Sequence, residues 1–160
     1  MNYNDEERLQ SLIIRYQQKV FALVFYLIGG DQDKTYDICA SSFAEAARVR
    51  SSLEHEEAFL ITLIGIAIER SRAAKTIPVS NELGLLELPD AEKGPLRMVL
   101  KALRALDFDA KALVLLRDQL NLSYSEIAAI MRSSESTTRP KVTQARARLR
   151  KMIEDTLHYA

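Results

Sequence analysis

The chain has no tryptophan, one cysteine and two histidines among its 160 residues. A single cysteine, Cys39, permits no internal disulfide. His55 and His158 lie too far apart in sequence to give metal-ligand spacing. No metal and no cofactor are expected. Long apolar runs are missing as well. The longest uncharged stretches, Val20–Gly30 and Ala58–Ile68, have 11 residues each, against the roughly 20 that a bilayer requires. Asp5-Glu6-Glu7 precede any apolar stretch, the wrong charge for a signal peptide. These absences predict a cytoplasmic chain without membrane insertion. The sequence also holds no glycine-rich phosphate loop, no Ser/His/Asp set and no G-x-S-x-G, so it is not expected to be an enzyme.

What is present is a balance of charge that is uneven along the chain. The 22 basic and 22 acidic residues cancel overall. Yet Ala128–Lys151 holds seven basic residues (Arg132, Arg139, Lys141, Arg146, Arg148, Arg150, Lys151) against one acid, Glu135. A basic segment on a neutral body makes one local patch suited to a polyanion. Composition is otherwise that of a globular protein, 48% hydrophobic and 28% charged.

Helical periodicity dominates the pattern. Leu9, Leu12, Ile13, Tyr16, Val20, Leu23, Val24 and Leu27 recur at three-to-four spacing and predict a helix over Glu6–Ile28, stopped by Gly29-Gly30. Asp31 or Asp33 can cap a second helix that turns Ile38, Phe43, Ala46 and Ala47 inward and ends near Arg50. A third helix, about Glu54–Lys75, starts with acids and ends with bases, as the helix dipole prefers, and its middle is apolar all round. Thr76–Pro95 gathers three of the four prolines and two of the five glycines and reads as a linker. Four further helices follow: about Leu96–Leu106, Asp109–Leu120, Ser123–Met131, and Ser136 or Thr137 to about Thr156. The expected architecture is all-α, with a helical domain at 1–75, a linker at 76–95 and a helix-turn-helix domain at 96–160. Leu12, Tyr16, Phe43, Leu63 and Ile66 are expected in one core. Leu113, Leu116, Ile127, Ala145 and Leu149 are expected in another.

The constellation that carries function lies near the C-terminus. Ser123 and Glu126 have the spacing of a capping box and open a short helix. The polar turn Arg132-Ser133-Ser134-Glu135 follows, then a basic helix, which is the helix-turn-helix pattern. On that last helix Val142, Ala145, Leu149, Met152 and Ile153 form one apolar face. Arg139, Thr143, Arg146 and Arg150 line its flank. Such a helix can pack on its partners and present guanidinium groups to phosphates and guanine edges. A solvated basic face that complements the C-terminal dipole would show the same composition.

Leu106 through Ile153 resembles region 4 of bacterial sigma factors of the extracytoplasmic-function (ECF) type. Val114-Leu115-Leu116-Arg117, Leu122-Ser123-Tyr124-Ser125-Glu126-Ile127-Ala128 and Ser136 through Leu149 follow that region's pattern without a gap. The N-terminal half is similar to region 2 of the same family. Asp37-Ile38, Phe43 and Ala46-Ala47-Arg48 fall on one of its signatures, and Phe59, Leu63, Ile66 and Ala67 on another. The resemblance covers nearly the whole chain. It implies a transcription initiation factor that binds core RNA polymerase and directs it to promoter DNA at −10 and −35 elements. An anti-sigma factor would be a further partner. DNA contacts would come from Thr137, Arg139, Lys141, Thr143, Arg146 and Arg150 at the −35 element. Arg70, Arg72 and Lys75, with the Arg48–Glu54 loop, would serve the −10 element. Core polymerase would meet Asp37, Ala40, Ser41 and Glu45.

Several positions depart from the family pattern. Ala40 and Ser41 replace a glutamine and an acid that help to hold core polymerase, and Thr62 stands where a tryptophan is usual. Glu69 puts an acid where DNA approaches. Arg132 replaces the glycine of the turn, which would require it to adopt a left-handed conformation. Pro140 falls inside the recognition helix and is tolerable only in a first turn or at a kink. Two alternatives therefore stand beside the initiation factor: a helix-turn-helix regulator without core binding, and a sigma mimic that binds an anti-sigma factor without DNA. Cys39 is expected to be a buried hydrophobe, and Glu54, Glu56 and Glu57 a helix N-terminus rather than an acid–base site.

Overall fold

A computed structural model describes residues 3–49, 53–74 and 90–158. Among them are seven α-helices and no strand: α1 (Tyr3–Leu27), α2 (Gln32–Arg48), α3 (Glu56–Ala73), α4 (Asp90–Ala105), α5 (Phe108–Val114), α6 (Tyr124–Ile130) and α7 (Glu135–His158). The helix of α5 continues through one π-helical stretch, Leu115–Gln119. Most of the expected segment 76–95 lies outside the described residues, as do Lys75, Arg50 and the Ser51-Ser52 break.

The helix ends follow local chemistry. Gly29 and Gly30 both take positive φ, 86° and 93°, and the Gly30 N–H donates to the Phe25 carbonyl at 2.8 Å. A β-carbon would make that conformation costly, so the paired glycines set where α1 stops. Asp31, rather than Asp33, then caps α2, its carboxylate accepting from the Lys34 N–H at 3.0 Å. Ser123 and Glu126 make the expected capping box, with reciprocal bonds of 3.1 and 3.0 Å. Arg132 takes the left-handed conformation that its place in the turn demands, φ 52°.

Two boundaries differ from the sequence reading. Helix α4 begins at Asp90 and not Leu96, so Gly94 and Pro95 sit on helical backbone. Burial of Leu100, Ala102 and Leu103 anchors this helix, and tertiary anchoring outweighs the weak propensity of the preceding residues. Helix α7 starts at Glu135 and not at Ser136 or Thr137, which places Pro140 in its second turn. The proline leaves the Ser136 carbonyl without a helical donor. Ser136 is exposed, and water can take the donor's place.

The apolar side chains form two clusters, and α3 serves both. Phe59, Leu63 and Ala67 face Leu12, Val20, Val24, Phe43 and Ala46 of α1 and α2. Ile64 and Ile68, on another side of α3, join Leu23 and Leu27 of α1 in the cluster that holds Leu103, Leu113, Leu116, Ile127, Val142 and Ala145. This explains why α3 is apolar all round: none of its middle residues, 58–68, is fully exposed. The expected core residues are found in these clusters, with Tyr16 and Ile66 half-buried against the first and Leu149 against the second. Cys39 is buried, and burial pushes its thiol up to about 11, away from thiolate chemistry.

Candidate nucleic-acid interface

Three elements build the basic surface. The turn after the π-helical stretch passes through Asn121 at φ 55° and is tied by the Arg117 guanidinium, which donates to the Leu122 carbonyl at 2.7 Å. The capping box then starts α6 in a fixed direction. Ile127, Ala128 and Ile130 of α6 are buried, and so are Thr138, Val142 and Ala145 of α7, so the two helices share one apolar seam. In the turn between them the Ser134 hydroxyl accepts from the Thr137 N–H at 3.2 Å, and the Ser134 carbonyl accepts from the Thr138 N–H and hydroxyl. Helix α7 is thus held along one side and open along the other.

The expected site residues of α7 fall on two sides of that open surface. At about 100° per residue, Arg139, Thr143, Arg146 and Arg150 share one stripe, while Thr137 and Lys141 stand well around the helix from it. Thr137, Arg139, Lys141, Thr143 and Arg150 are exposed, and Arg146 is half-buried. The arginine stripe is organised by partners that sequence spacing did not reveal. Arg139 pairs with Glu135 at 3.0 Å, and its guanidinium lies 4.6 Å from the centroid of the Tyr124 ring. Arg117 lies over the same ring at 4.5 Å. Arg146 forms a two-pronged pair with Asp118, which raises its pKa through the hydrogen bond and the opposite charge. Arg148 pairs with Asp107 at 3.0 Å. Lys141 and Arg150 make no ion pair among the described residues.

The N-terminal candidates are arranged differently. Arg70 pairs with Glu45, joining α3 to α2, so a residue expected at DNA is bonded to one expected at core polymerase. Arg72 reaches the other half of the chain: it pairs with Asp109 at 2.7 Å and lies 4.6 Å over the Phe108 ring. Lys75 lies outside the described residues. On α2, Asp37 and Ala40 are exposed, and Ser41 is half-buried with its hydroxyl donating to the Ile38 carbonyl at 3.1 Å. Ala40 borders an open apolar groove of about 700 Å³ between α1 and α2, lined also by Leu9, Ile13, Phe21, Tyr36 and Phe43. Glu56, read from sequence as part of a helix N-terminus, is also clasped by Arg15 and Tyr16 of α1. Their hydrogen bonds hold its carboxyl below the usual range. Nothing in the periodicity marks that pairing. The partners are some forty residues away.

Comparison with known proteins bears on the whole chain. Residues 96–149 match the family described as "Sigma-70, region 4". The chain is 29% identical to the ECF RNA polymerase sigma-E factor of Salmonella typhimurium and 28% identical to that of Escherichia coli. Each match covers 89% of this chain and 84% of the relative. It is 23% identical to the RNA polymerase sigma-H factor of Pseudomonas aeruginosa over 98% of this chain and 91% of that one. The solved structure of CnrH in complex with the cytosolic domain of CnrY has the same fold. Its TM-score is 0.68 at 19% identity, over 92% of this chain and 88% of that chain. The C-terminal helix-turn-helix segment thus matches sigma-70 region 4, and over most of its length the chain is similar to sigma factors of the extracytoplasmic-function type.

Proposed function

We propose that this chain is a transcription initiation factor that binds core RNA polymerase and directs it to promoter DNA, acting in the cytoplasm and performing no catalysis of its own. The observation that carries the reading is the capped α6, the left-handed turn at Arg132 and the arginine stripe of α7 on its open side, packed together. A helix presented this way fits the major groove. Its first turns meet base edges and its basic flanks meet phosphates. Arg139 is the base reader, and Thr137, Lys141, Thr143, Arg146 and Arg150 contact the backbone and groove of the −35 element. Arg70, Arg72 and Lys75 serve the −10 element. Asp37, Ala40, Ser41 and Glu45 face core polymerase. Residues 1–75 and 96–160 act as separate units on the two promoter elements, joined by 76–95. An anti-sigma factor is a further partner, in keeping with the protein complex in which the solved neighbour was seen.

The test pairs pull-down on core polymerase with binding to promoter and random duplexes over a salt series. The double variant Arg139→Ala, Arg146→Ala should flatten the slope of log affinity against log salt by about one unit for every phosphate it ceases to touch. If the double variant binds all duplexes as the parent does, DNA contact through α7 is refuted and a mimic that binds only protein takes its place. DNA binding without capture of core polymerase would leave a helix-turn-helix regulator.

A further inference from the structure

We propose that Tyr124 is a positioning residue for sequence reading: it sets the plane of the Arg139 guanidinium and thereby which base edge α7 recognises. The inference rests on the DNA-binding reading above and names a residue outside α7 as a determinant of specificity. Tyr124 is the first residue of α6, half-buried against the C-terminal cluster. The guanidinium groups of Arg117 and Arg139 lie 4.5 and 4.6 Å from its ring centroid. Arg117 is itself fixed by its 2.7 Å bond to the Leu122 carbonyl. The Ser123–Glu126 box fixes the turn from which the ring projects. The ring is therefore placed by backbone and cap, and Arg139 rests on a placed surface.

An exposed arginine on a helix ordinarily samples many rotamers. Here two contacts from different elements restrict it. Glu135, one turn earlier on α7, takes one end of the fork at 3.0 Å, and the guanidinium carbon lies over the Tyr124 ring at 4.6 Å from its centroid. Bidentate recognition of guanine needs both guanidinium nitrogens in the plane of the base edge, so a preset plane selects one base pair and one orientation. The Glu135 bond is solvent-exposed and weak enough to be exchanged for a base edge. The stack can persist while that exchange occurs, because it uses the face of the guanidinium and not its N–H groups. Arg146 lacks this arrangement: both prongs of its fork are held by Asp118. The ligand implied is a G·C pair presented in the major groove.

The experiment uses the full chain bound to core polymerase and a set of duplexes that differ from the preferred −35 sequence by one base pair each. Tyr124→Leu should discriminate about two- to fivefold less than the parent at one base pair, the range that an exposed cation–π contact supplies. That base pair should be the one at which Arg139→Ala loses discrimination. The salt slope should stay that of the parent, since no phosphate contact is removed. Tyr124→Phe should restore the parent ratio, because the aromatic face is kept. Tyr124→Met provides the same comparison if leucine lowers the melting temperature. Unchanged discrimination in Tyr124→Leu, a loss spread evenly over all base pairs, or an equal loss in Tyr124→Phe would each overturn the proposal while leaving Arg139 as reader. Parent-like binding by Arg139→Ala at every duplex would instead refute the DNA reading itself, and the role of Tyr124 with it.

Discussion

Replacing Ile64 by alanine tests how the two halves of the chain depend on each other. Ile64 is 0% exposed and lies on α3, yet it belongs to the cluster built mainly from α4 to α7. Its neighbour Leu63, also 0% exposed, belongs to the other cluster. Isoleucine to alanine removes three carbons, roughly 2.4 kcal/mol of transfer free energy at about 0.8 kcal/mol each. Incomplete collapse of the space left behind adds to this, within the observed range of roughly 2–5 kcal/mol. For a chain of this size about 3 kcal/mol corresponds to a fall in Tm of roughly 6–12 °C. The location of the effect is more informative than its size. Hydrogen exchange on the full chain should quicken in the amides of α6 and α7 for Ile64→Ala, although the mutated residue lies in α3. Leu63→Ala should quicken exchange first in α1 and α2. If Ile64→Ala left protection in α6 and α7 at parent levels while lowering it in α1 and α2, the shared core would be refuted.

Two other substitutions probe single features. Glu56 has its carboxyl held below its ordinary value by Tyr16 and Arg15. A depressed carboxyl contributes stability that is present above its unfolded value and is lost as pH falls through the folded one. Glu56→Gln should therefore lower Tm at neutral pH and flatten the acid limb below about pH 4.5. A parallel shift at every pH would contradict the linkage. Arg132 occupies φ 52°, where a side chain costs roughly 1–2 kcal/mol against glycine, partly offset by glycine's greater freedom when unfolded. Arg132→Gly should raise Tm by a few degrees, and a lower Tm would show that the Arg132 side chain contributes more than its backbone strain costs.

The parts of this fold that local rules govern were legible in the sequence. The stops at Gly29-Gly30, the Ser123–Glu126 box, the left-handed turn at Arg132 and the all-round apolar face of α3 each follow from a few adjacent residues and a fixed period. The missed features are those in which distant residues decide. The start of α4 at Asp90 is set by the burial of Leu100 and Leu103, against a proline and a glycine that argue locally for a loop. The tolerance of Pro140 depends on Ser136, whose carbonyl loses its helical donor, being an exposed residue. In the candidate interface the arginine stripe could be read from spacing, but its partners Asp118 and Tyr124, and the Asp107 partner of Arg148, could not. They lie on other helices or turns and carry no periodic signal.

Those partners decide how available each base is to a polyanion. An exposed ion pair contributes about 0–1 kcal/mol, so the pairs of Arg139, Arg146 and Arg148 with Glu135, Asp118 and Asp107 hold side chains in place without committing them. A phosphate can replace any of these carboxylates at little net cost, and Lys141 and Arg150 have none to displace among the described residues. Arg72 is in a different position. It bridges the two halves through both Asp109 and the Phe108 ring. The same junction buries Leu23, Leu27, Ile64 and Ile68 against the C-terminal helices. Releasing Arg72 toward DNA therefore means either a local exchange of one ion pair and one ring contact, or a parting of the halves that exposes apolar surface at about 25 cal/mol per Å². The first costs on the order of 1–2 kcal/mol, and the second several times more for even a few hundred Å² uncovered. On these magnitudes the C-terminal surface can meet DNA in the arrangement described. Among the described N-terminal basic residues Arg72 is the one tied to the second half, and the local exchange is the cheaper way to free it.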